Sequence, residues 1–198
     1  MADPMPRMPK VTEEEWTDEV LEVFNVLTGP GFSGDNSKHH VVTTFAQHPA
    51  LATPFFRFNK HLLADNRMPI RLRQIAIMRT AWVRRCVYMW SSHLRMSVGL
   101  GLTREDFEAI KEGAGSAYWS PFEKVLIGAV DMLCERSDLD QASWDALSAE
   151  FDHLQMLDLL FTVGAYVMIA LAMNALRIDR EEELIGYAEE YGAPEPLS

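Results

Sequence analysis

The sequence predicts an all-α protein of about seven to eight helices. Apolar residues recur at helical spacing almost from end to end, and no segment shows the pattern of a series of strands and turns. Capping boxes at Thr12–Glu15 and Ser120–Glu123 mark two helix starts. Together these observations place helical segments at about 12–27, 49–63, 69–98, 103–113, 120–134, 143–151, 159–176 and 181–191.

The boundaries follow from Gly and Pro. The stretch 29–36 is a loop by composition, and the second segment starts near Pro49. The third begins at Pro69, which suits a first helical turn, and Gly99 and Gly101 close it. We therefore expect one uninterrupted long helix from Pro69 to about Val98.

The segment 159–176 contains no charged residue and is close to the lower length limit for a membrane span. Thr162, Gly164, Tyr166 and Asn174 interrupt its apolar character, so the pattern favours a buried helix over a membrane span. A helix that is apolar on all sides is also typical of an oligomer.

Length and composition predict a single domain over residues 1–198, with its core at about 12–179 and a frayed tail at 192–198. The chain has 29 acidic and 18 basic residues, a net charge of −11, which argues against nucleic acid or an anionic membrane as a partner. Two cysteines are too few for a disulfide framework, and the N-terminus lacks the apolar core of a secretory signal. We therefore expect a cytoplasmic protein.

The run from Cys86 to His93 is the strongest candidate for a site. Seven residues are almost two helical turns, so an unbroken helix would place both side chains on one face, with Met89 and Trp90 between them. A thiol, an aromatic wall and an imidazole could line a small-molecule pocket. The same residues could equally be ordinary core, and a single helical histidine is often a core residue.

Arginines concentrate just before this run. In an acidic protein they could form a solvated face or pair with glutamates, or one or two could point inward and bind a carboxylate. We favour Arg84 and Arg85 for substrate binding because they adjoin Cys86. The cluster consists of Arg71, Arg73, Arg79, Arg84 and Arg85.

Thiol and metal chemistry have weaker support. The position three residues after Cys86 is Met89, so no dithiol cycle is available there, and Cys86 fits a small buried hydrophobe better than a nucleophile. The remaining histidines lack metal-binding spacing with carboxylates, and we expect neither a metal nor a cofactor.

Several motifs resemble the carboxymuconolactone decarboxylase family, of the alkyl hydroperoxidase D-like superfamily. They are Pro69-x-Arg71-Leu72-Arg73-Gln74, Cys86-x-Tyr88-x-Trp90-x-x-His93 and Gly99-Leu100-Gly101-Leu102-Thr103, with further similarity between Pro6 and Asp179. The resemblance implies an all-α fold built on a helical hairpin. It also implies homo-oligomers, trimers or hexamers, with sites near subunit interfaces.

Departures from the family pattern bear on function. Members usually carry glutamate at the positions of Gln74 and Met89, and the redox branch carries a second cysteine at Met89. The resemblance therefore implies that His93 survives while both carboxylates and the dithiol are lost, which argues against a thiol peroxidase.

These residues predict a cofactor-independent lyase of the decarboxylase type. Its substrate would be a small anionic cyclic or aromatic-derived compound, such as a lactone or keto acid. His93 would transfer the proton, Arg84 or Arg85 would bind the carboxylate, Tyr88 or Gln74 would contact the oxyanion, and Trp90 would exclude water. Two alternatives stay open: an isomerase or C–C bond-cleaving enzyme for a larger aromatic substrate, and a non-catalytic ligand-binding or scaffold oligomer.

Overall fold

The computed structural model describes residues 5–27 and 35–197, and its regular structure there is entirely helical. This confirms the predicted all-α class. Ten α-helices follow in order: α1 Asp18–Val26, α2 His40–Phe45, α3 Pro49–Lys60, α4 Ile70–Val83, α5 Val87–Gly99, α6 Arg104–Glu112, α7 Pro121–Arg136, α8 Gln141–Ser148, α9 His153–Leu176 and α10 Glu182–Tyr191.

Several predicted boundaries need correction. The capping box at Thr12 starts only the 3-10 turn Glu13–Glu15, and α1 begins later because the Thr17 side chain caps it. Helix α2 was not predicted. Residues 29–34 of the predicted loop 29–36 lie outside the described residues. Asn36 begins a 3-10 turn that ends at Lys38.

The predicted long helix 69–98 is wrong, because the chain turns back between α4 and α5. The Arg85 and Cys86 N–H groups donate to the Trp82 and Ala81 carbonyls, at 3.0 and 2.9 Å. This is the Schellman arrangement that ends a helix, with Arg85 at φ 51° in the position that glycine usually takes. The turn contains neither Gly nor Pro, and the apolar periodicity runs through it. The sequence pattern therefore predicted one continuous helix.

The chain divides into two compact units, residues 1–66 with 173–182 and residues 67–172 with 183–198. In the first, α1, α2 and α3 enclose an apolar core that includes Val23, Phe24, Val42 and Phe56. An ion pair of 2.9 Å between Lys10 and Asp179 joins its two chain segments. The single-domain organisation stays a prediction.

In the second unit α4 is central, in contact with α5, α6 and α7. Ile75, Ala76, Ile77 and Met78 are fully buried in four successive positions, so α4 is enclosed on all sides at that level. This explains why its apolar residues show no clear amphipathic stripe.

Helix α9 is, among the described helices, the one long and apolar enough to cross a bilayer by length and composition. Half of its most apolar window is buried inside the protein, which is also the behaviour of a core helix. A cytoplasmic location stays a prediction.

Candidate functional site

The α4–α5 hairpin brings Gln74 and His93 into contact in the second unit. Both are buried, and the His93 Nδ1 lies 3.3 Å from the Gln74 Oε1. The Gln74 Nε2 donates to the Met96 Sδ at 3.2 Å, and the Ser97 hydroxyl donates to the Gln74 Oε1 at 3.5 Å. This network assigns the Gln74 oxygen as an acceptor, so His93 Nδ1 carries the hydrogen and Nε2 keeps its lone pair.

The environment of His93 keeps its imidazole neutral. Burial lowers the pKa of His93 to about 3, with smaller contributions from the positive charges of Arg73 and Arg95. Arg95 is half-exposed and pairs with Glu183 at 3.2 Å. The imidazole is therefore a neutral group near pH 7, with a proton-accepting nitrogen at Nε2.

Arg73 is the unusual residue of this neighbourhood. Only 6% of it is exposed, and its Nε is buried without a hydrogen-bond partner among the described residues. Burial lowers the pKa of Arg73, and the negative charges of Tyr166 and Asp158 oppose that shift. The Asp158 carboxylate also accepts a hydrogen bond of 2.7 Å from the Arg67 backbone N–H. Arg73 is thus a buried cation with an unsatisfied N–H donor at Nε among the described residues.

Tyr166, from α9, completes the cluster. Its ring lies edge-on to the His93 ring, with centroids 5.2 Å apart and an interplanar angle of 74°. Sequence reasoning placed Arg73 in the arginine cluster without selecting it, and it assigned no role to Tyr166. The available signals were the arginine directly before Gln74 and a tyrosine inside an otherwise apolar helix.

The arginines favoured from the sequence lie elsewhere on the hairpin. Arg84 caps the end of α4 and is half-buried, and its charge acts on the Cys134 thiol. Arg85 occupies the turn and is exposed. The cations that act on His93 are Arg73 and Arg95.

Cys86 is fully buried at the N-cap position of α5, not within the helix. The expected alignment of Cys86 and His93 on one helical face therefore does not arise from an unbroken helix. Burial raises the pKa of the Cys86 thiol to about 12, so the thiolate is scarce near neutral pH. This fits a small buried hydrophobe.

The predicted site residues between Cys86 and His93 belong to the protein core. Tyr88, Met89 and Trp90 are all buried. The Trp90 indole N–H donates to the Gly192 carbonyl at 2.7 Å, and its ring lies 5.0 Å from that of Trp82. Trp90 thus anchors the residue after α10, and its role as a pocket wall stays a prediction.

Within the described ranges, no group of three His, Cys, Asp or Glu side chains could hold a metal ion. The polar groups that act on or contact His93 include the guanidinium of Arg73, the carboxamide of Gln74 and the phenol of Tyr166. They can bind an anion, orient an imidazole and donate hydrogen bonds.

Residues 49–131 match the model of the carboxymuconolactone decarboxylase family. This confirms the predicted resemblance over that stretch, which contains the whole hairpin with Arg73, Gln74 and His93. No curated protein matches the sequence significantly.

Solved structures with the same fold extend the similarity over most of the chain. An uncharacterised peroxidase-related protein from Ralstonia eutropha JMP134, an alkylhydroperoxidase AhpD core, is 17% identical with a TM-score of 0.72, and the match covers 98% of this chain and 100% of that one. The debrominase Bmp8, as a cysteine-to-alanine variant in complex with 2,3,4-tribromopyrrole, is 15% identical with a TM-score of 0.75, covering 96% and 99%. A protein of unknown function from Agrobacterium tumefaciens is 14% identical with a TM-score of 0.65, covering 69% and 94%. These similarities establish the AhpD-like fold, and together with the family they fit an enzymatic role.

Proposed function

We propose that the protein is a cofactor-independent lyase that decarboxylates a small anionic cyclic or aromatic-derived compound, with His93 as the proton carrier. The observation that supports it best is Arg73, a buried cation whose Nε has no hydrogen-bond partner among the described residues, and whose charge acts on a buried neutral histidine. A buried N–H donor without an acceptor is costly, so such a residue suits a site whose anion arrives with the ligand. Arg73 therefore replaces Arg84 and Arg85 as the proposed carboxylate-binding residue.

Gln74 is a positioning residue in this proposal. Its Oε1 holds the Nδ1 hydrogen of His93, which leaves Nε2 to exchange protons with the substrate. A neutral amide cannot relay a proton, so the imidazole must do so alone. Oxyanion contact by Tyr88 stays a prediction.

A negative charge on the substrate would change the pKa of His93. Burial is the main cause of the low pKa of His93 and Arg73 is a smaller one, so an anion bound at Arg73 would shift that pKa upward and increase the share of imidazole that takes up a proton. In a β-keto acid the C–C bond to the carboxylate then breaks, carbon dioxide leaves, and the electron pair remains as an enolate. The imidazolium Nε2–H donates its proton to the enolate carbon, which completes the reaction.

The test is a screen of aromatic-derived lactones and keto acids for release of carbon dioxide, followed by variants on the best substrate. Positioned acid–base catalysis contributes on the order of 10² to 10⁴ in rate, so His93→Gln should lose about that much kcat. Arg73→Met should raise KM strongly, and Arg73→Lys should recover part of the affinity. Arg136→Gln, at an exposed position on α7, is the matched control.

Two results would contradict the roles proposed for His93 and Arg73. His93→Gln with turnover within a few-fold of wild type would remove His93 from the mechanism. A loss that follows Arg84→Gln or Arg85→Gln, with Arg73→Met unaffected, would return carboxylate binding to the hairpin turn.

A non-catalytic ligand-binding protein is the second candidate, favoured by the same neutral environment of His93 and by an amide at position 74. Calorimetric binding of benzoate, compared with neutral benzamide, measures the anion site directly. Benzoate binding that depends on Arg73, with no turnover across the screen, would favour this candidate over the lyase. An isomerase or C–C bond-cleaving enzyme would instead show product without carbon dioxide.

A further inference from the structure

Helix α9 has a buried polar face inside an otherwise apolar sequence. Asp158, Thr162 and Tyr166 recur every four residues, so they are neighbours along one side of the helix. All three are buried, with 9%, 0% and 2% of their surfaces exposed. Buried polar side chains are costly unless they meet polar partners. This face therefore marks a place in the second unit where polar groups are concentrated.

Two of these side chains belong to the neighbourhood of Arg73 and His93. The negative charges of Tyr166 and Asp158 both act on Arg73. The Tyr166 ring lies edge-on to the His93 ring, with centroids 5.2 Å apart. Asp158 also accepts a hydrogen bond of 2.7 Å from the Arg67 backbone N–H. Tyr166 is therefore a polar residue of α9 that acts on the proposed carboxylate-binding residue and contacts the proposed proton carrier.

The proposed decarboxylation needs a donor that the roles of Arg73 and His93 leave open. As carbon dioxide leaves a β-keto acid, negative charge develops on the keto oxygen. Arg73 is engaged by the carboxylate, and the imidazolium of His93 gives its proton to carbon. A further N–H or O–H group aimed at that oxygen would stabilise the enolate, and such donors contribute about 10² to 10³ in rate.

The two donors considered from the sequence, Gln74 and Tyr88, are poorly placed for this role. The Gln74 Nε2 donates to the Met96 Sδ at 3.2 Å, and its Oε1 lies 3.3 Å from the His93 Nδ1. Tyr88 precedes His93 by five residues on α5, so it points about 140° away around the helix. Tyr166 has no such obstacle, because its ring already contacts that of His93.

We infer that Tyr166 is a catalytic residue of this site, which donates a hydrogen bond to a substrate oxygen on the carbon β to the carboxylate. The inference rests on the proposed function and narrows its substrate from lactones and keto acids to β-keto acids. When the C–C bond breaks, the electron pair moves onto that oxygen as the enolate forms. The Tyr166 O–H keeps its proton and stabilises the charge, and His93 supplies the proton to carbon.

The test compares the binding of two inert anions by calorimetry. Salicylate carries a hydroxyl oxygen on the carbon β to its carboxylate, as the enol of a β-keto acid does, whereas benzoate lacks that oxygen. The ratio of the benzoate to the salicylate dissociation constant in Tyr166→Phe should fall about three- to tenfold below that of wild type, the worth of one hydrogen bond. Benzoate binding should be nearly unchanged, because the carboxylate still meets Arg73.

Tyr118→Phe is the matched control, since it removes the same hydroxyl from a tyrosine that is 48% exposed. It should keep the wild-type ratio. Circular dichroism checks the fold of each variant, and Tyr166→Met serves if Tyr166→Phe does not fold. On a β-keto acid that the wild type decarboxylates, Tyr166→Phe should lower kcat about 10²-fold with little change in KM, because the hydrogen bond strengthens in the transition state.

Four results would overturn the inference, and they separate it from the proposed function. Benzoate binding that depends on Arg73, with an equal ratio in wild type and Tyr166→Phe, would remove Tyr166 and leave the anion site intact. A ratio that falls in Tyr88→Phe but not in Tyr166→Phe would return the oxygen contact to Tyr88. Equal losses of benzoate and salicylate binding in Tyr166→Phe would make Tyr166 a structural support of Arg73. Absence of benzoate binding by wild type would overturn the anion site of the proposed function, and this inference with it.

Discussion

Two sides of α4 carry arginines in opposite electrostatic situations. On one side Arg79 holds Asp131 through two hydrogen bonds, of 2.6 and 2.9 Å, and also donates to the Ile110 and Lys111 carbonyls. Arg71, about 80° away around the helix, pairs with Asp106 and Glu123. On the other side Arg73 is buried, yet its Nε has no hydrogen-bond partner among the described residues.

Hydrogen-bond satisfaction separates a structural charge from a functional one. A buried cation with its donors satisfied stabilises the fold or leaves its stability unchanged, because the pair compensates its desolvation. A buried cation without a partner costs stability, and such a cost is typical of a site that awaits an anion. Exposure and sequence position alone would not have distinguished Arg73 from Arg79.

The largest effect on stability should come from the paired side. Arg79→Met leaves Asp131 and two carbonyls without their donors, and we expect the free energy of unfolding to fall by about 3 kcal/mol, since Asp131 is 34% exposed and regains some water. Urea unfolding followed by circular dichroism measures it. The double variant Arg79→Met/Asp131→Leu should recover part of the loss, whereas no recovery would mean that the carbonyl contacts dominate.

A substitution at Gly113 tests the Arg79 side of α4, because the Gly113 backbone lies against the Arg79 guanidinium. Its φ is 91°, and a Cβ there would lie 2.7 Å from the Arg79 Nη2. Gly113→Ala should therefore destabilise by about 2 kcal/mol, from backbone strain and displacement of the guanidinium. Gly99→Ala is the control, because nothing lies within 4 Å of its Cβ position. Equal effects of the two substitutions would show that the Arg79 contact places no demand on Gly113.

The pH dependence of stability tests the unpaired side. The pKa of His93 is about 3 in the folded state, against about 6.5 in the unfolded chain. Between these values only the unfolded state takes up the proton, so stability falls as pH falls, by about 1.4 kcal/mol per unit below 6.5. Between pH 7 and pH 5, wild type should lose about 2 kcal/mol more than His93→Gln. Parallel losses in the two proteins would show that His93 does not have this depressed pKa.

The smallest effect has the opposite sign. Arg73→Met removes a buried guanidinium whose Nε has no hydrogen-bond partner among the described residues and keeps most of the side-chain volume, so stability should rise by about 1 kcal/mol. The same unfolding experiment as for Arg79→Met measures it. A loss comparable with that of Arg79→Met would mean that Arg73 is a structural residue, and the contrast between the two sides of α4 would fail.

Parts of this site could be read from the sequence and parts could not. His93 and Gln74 were each identified as candidate site residues, and the hairpin brings them into contact. The turn itself was missed, because it contains no Gly or Pro and the apolar period continues across its residues Arg84, Arg85 and Cys86. Arg84 and Arg85 were favoured because they adjoin Cys86 along the chain. In the structure Arg84 is the C-cap of α4 and Arg85 is exposed in the turn.

The helical class, most helix starts and the family resemblance follow from the amino-acid sequence alone, since each depends on residues within a few turns of one another. Which arginine is paired, and how strongly the proton affinity of His93 is lowered, follow from the folded structure. Those properties depend on desolvation and on charges brought from distant parts of the chain, and one-dimensional spacing contains neither.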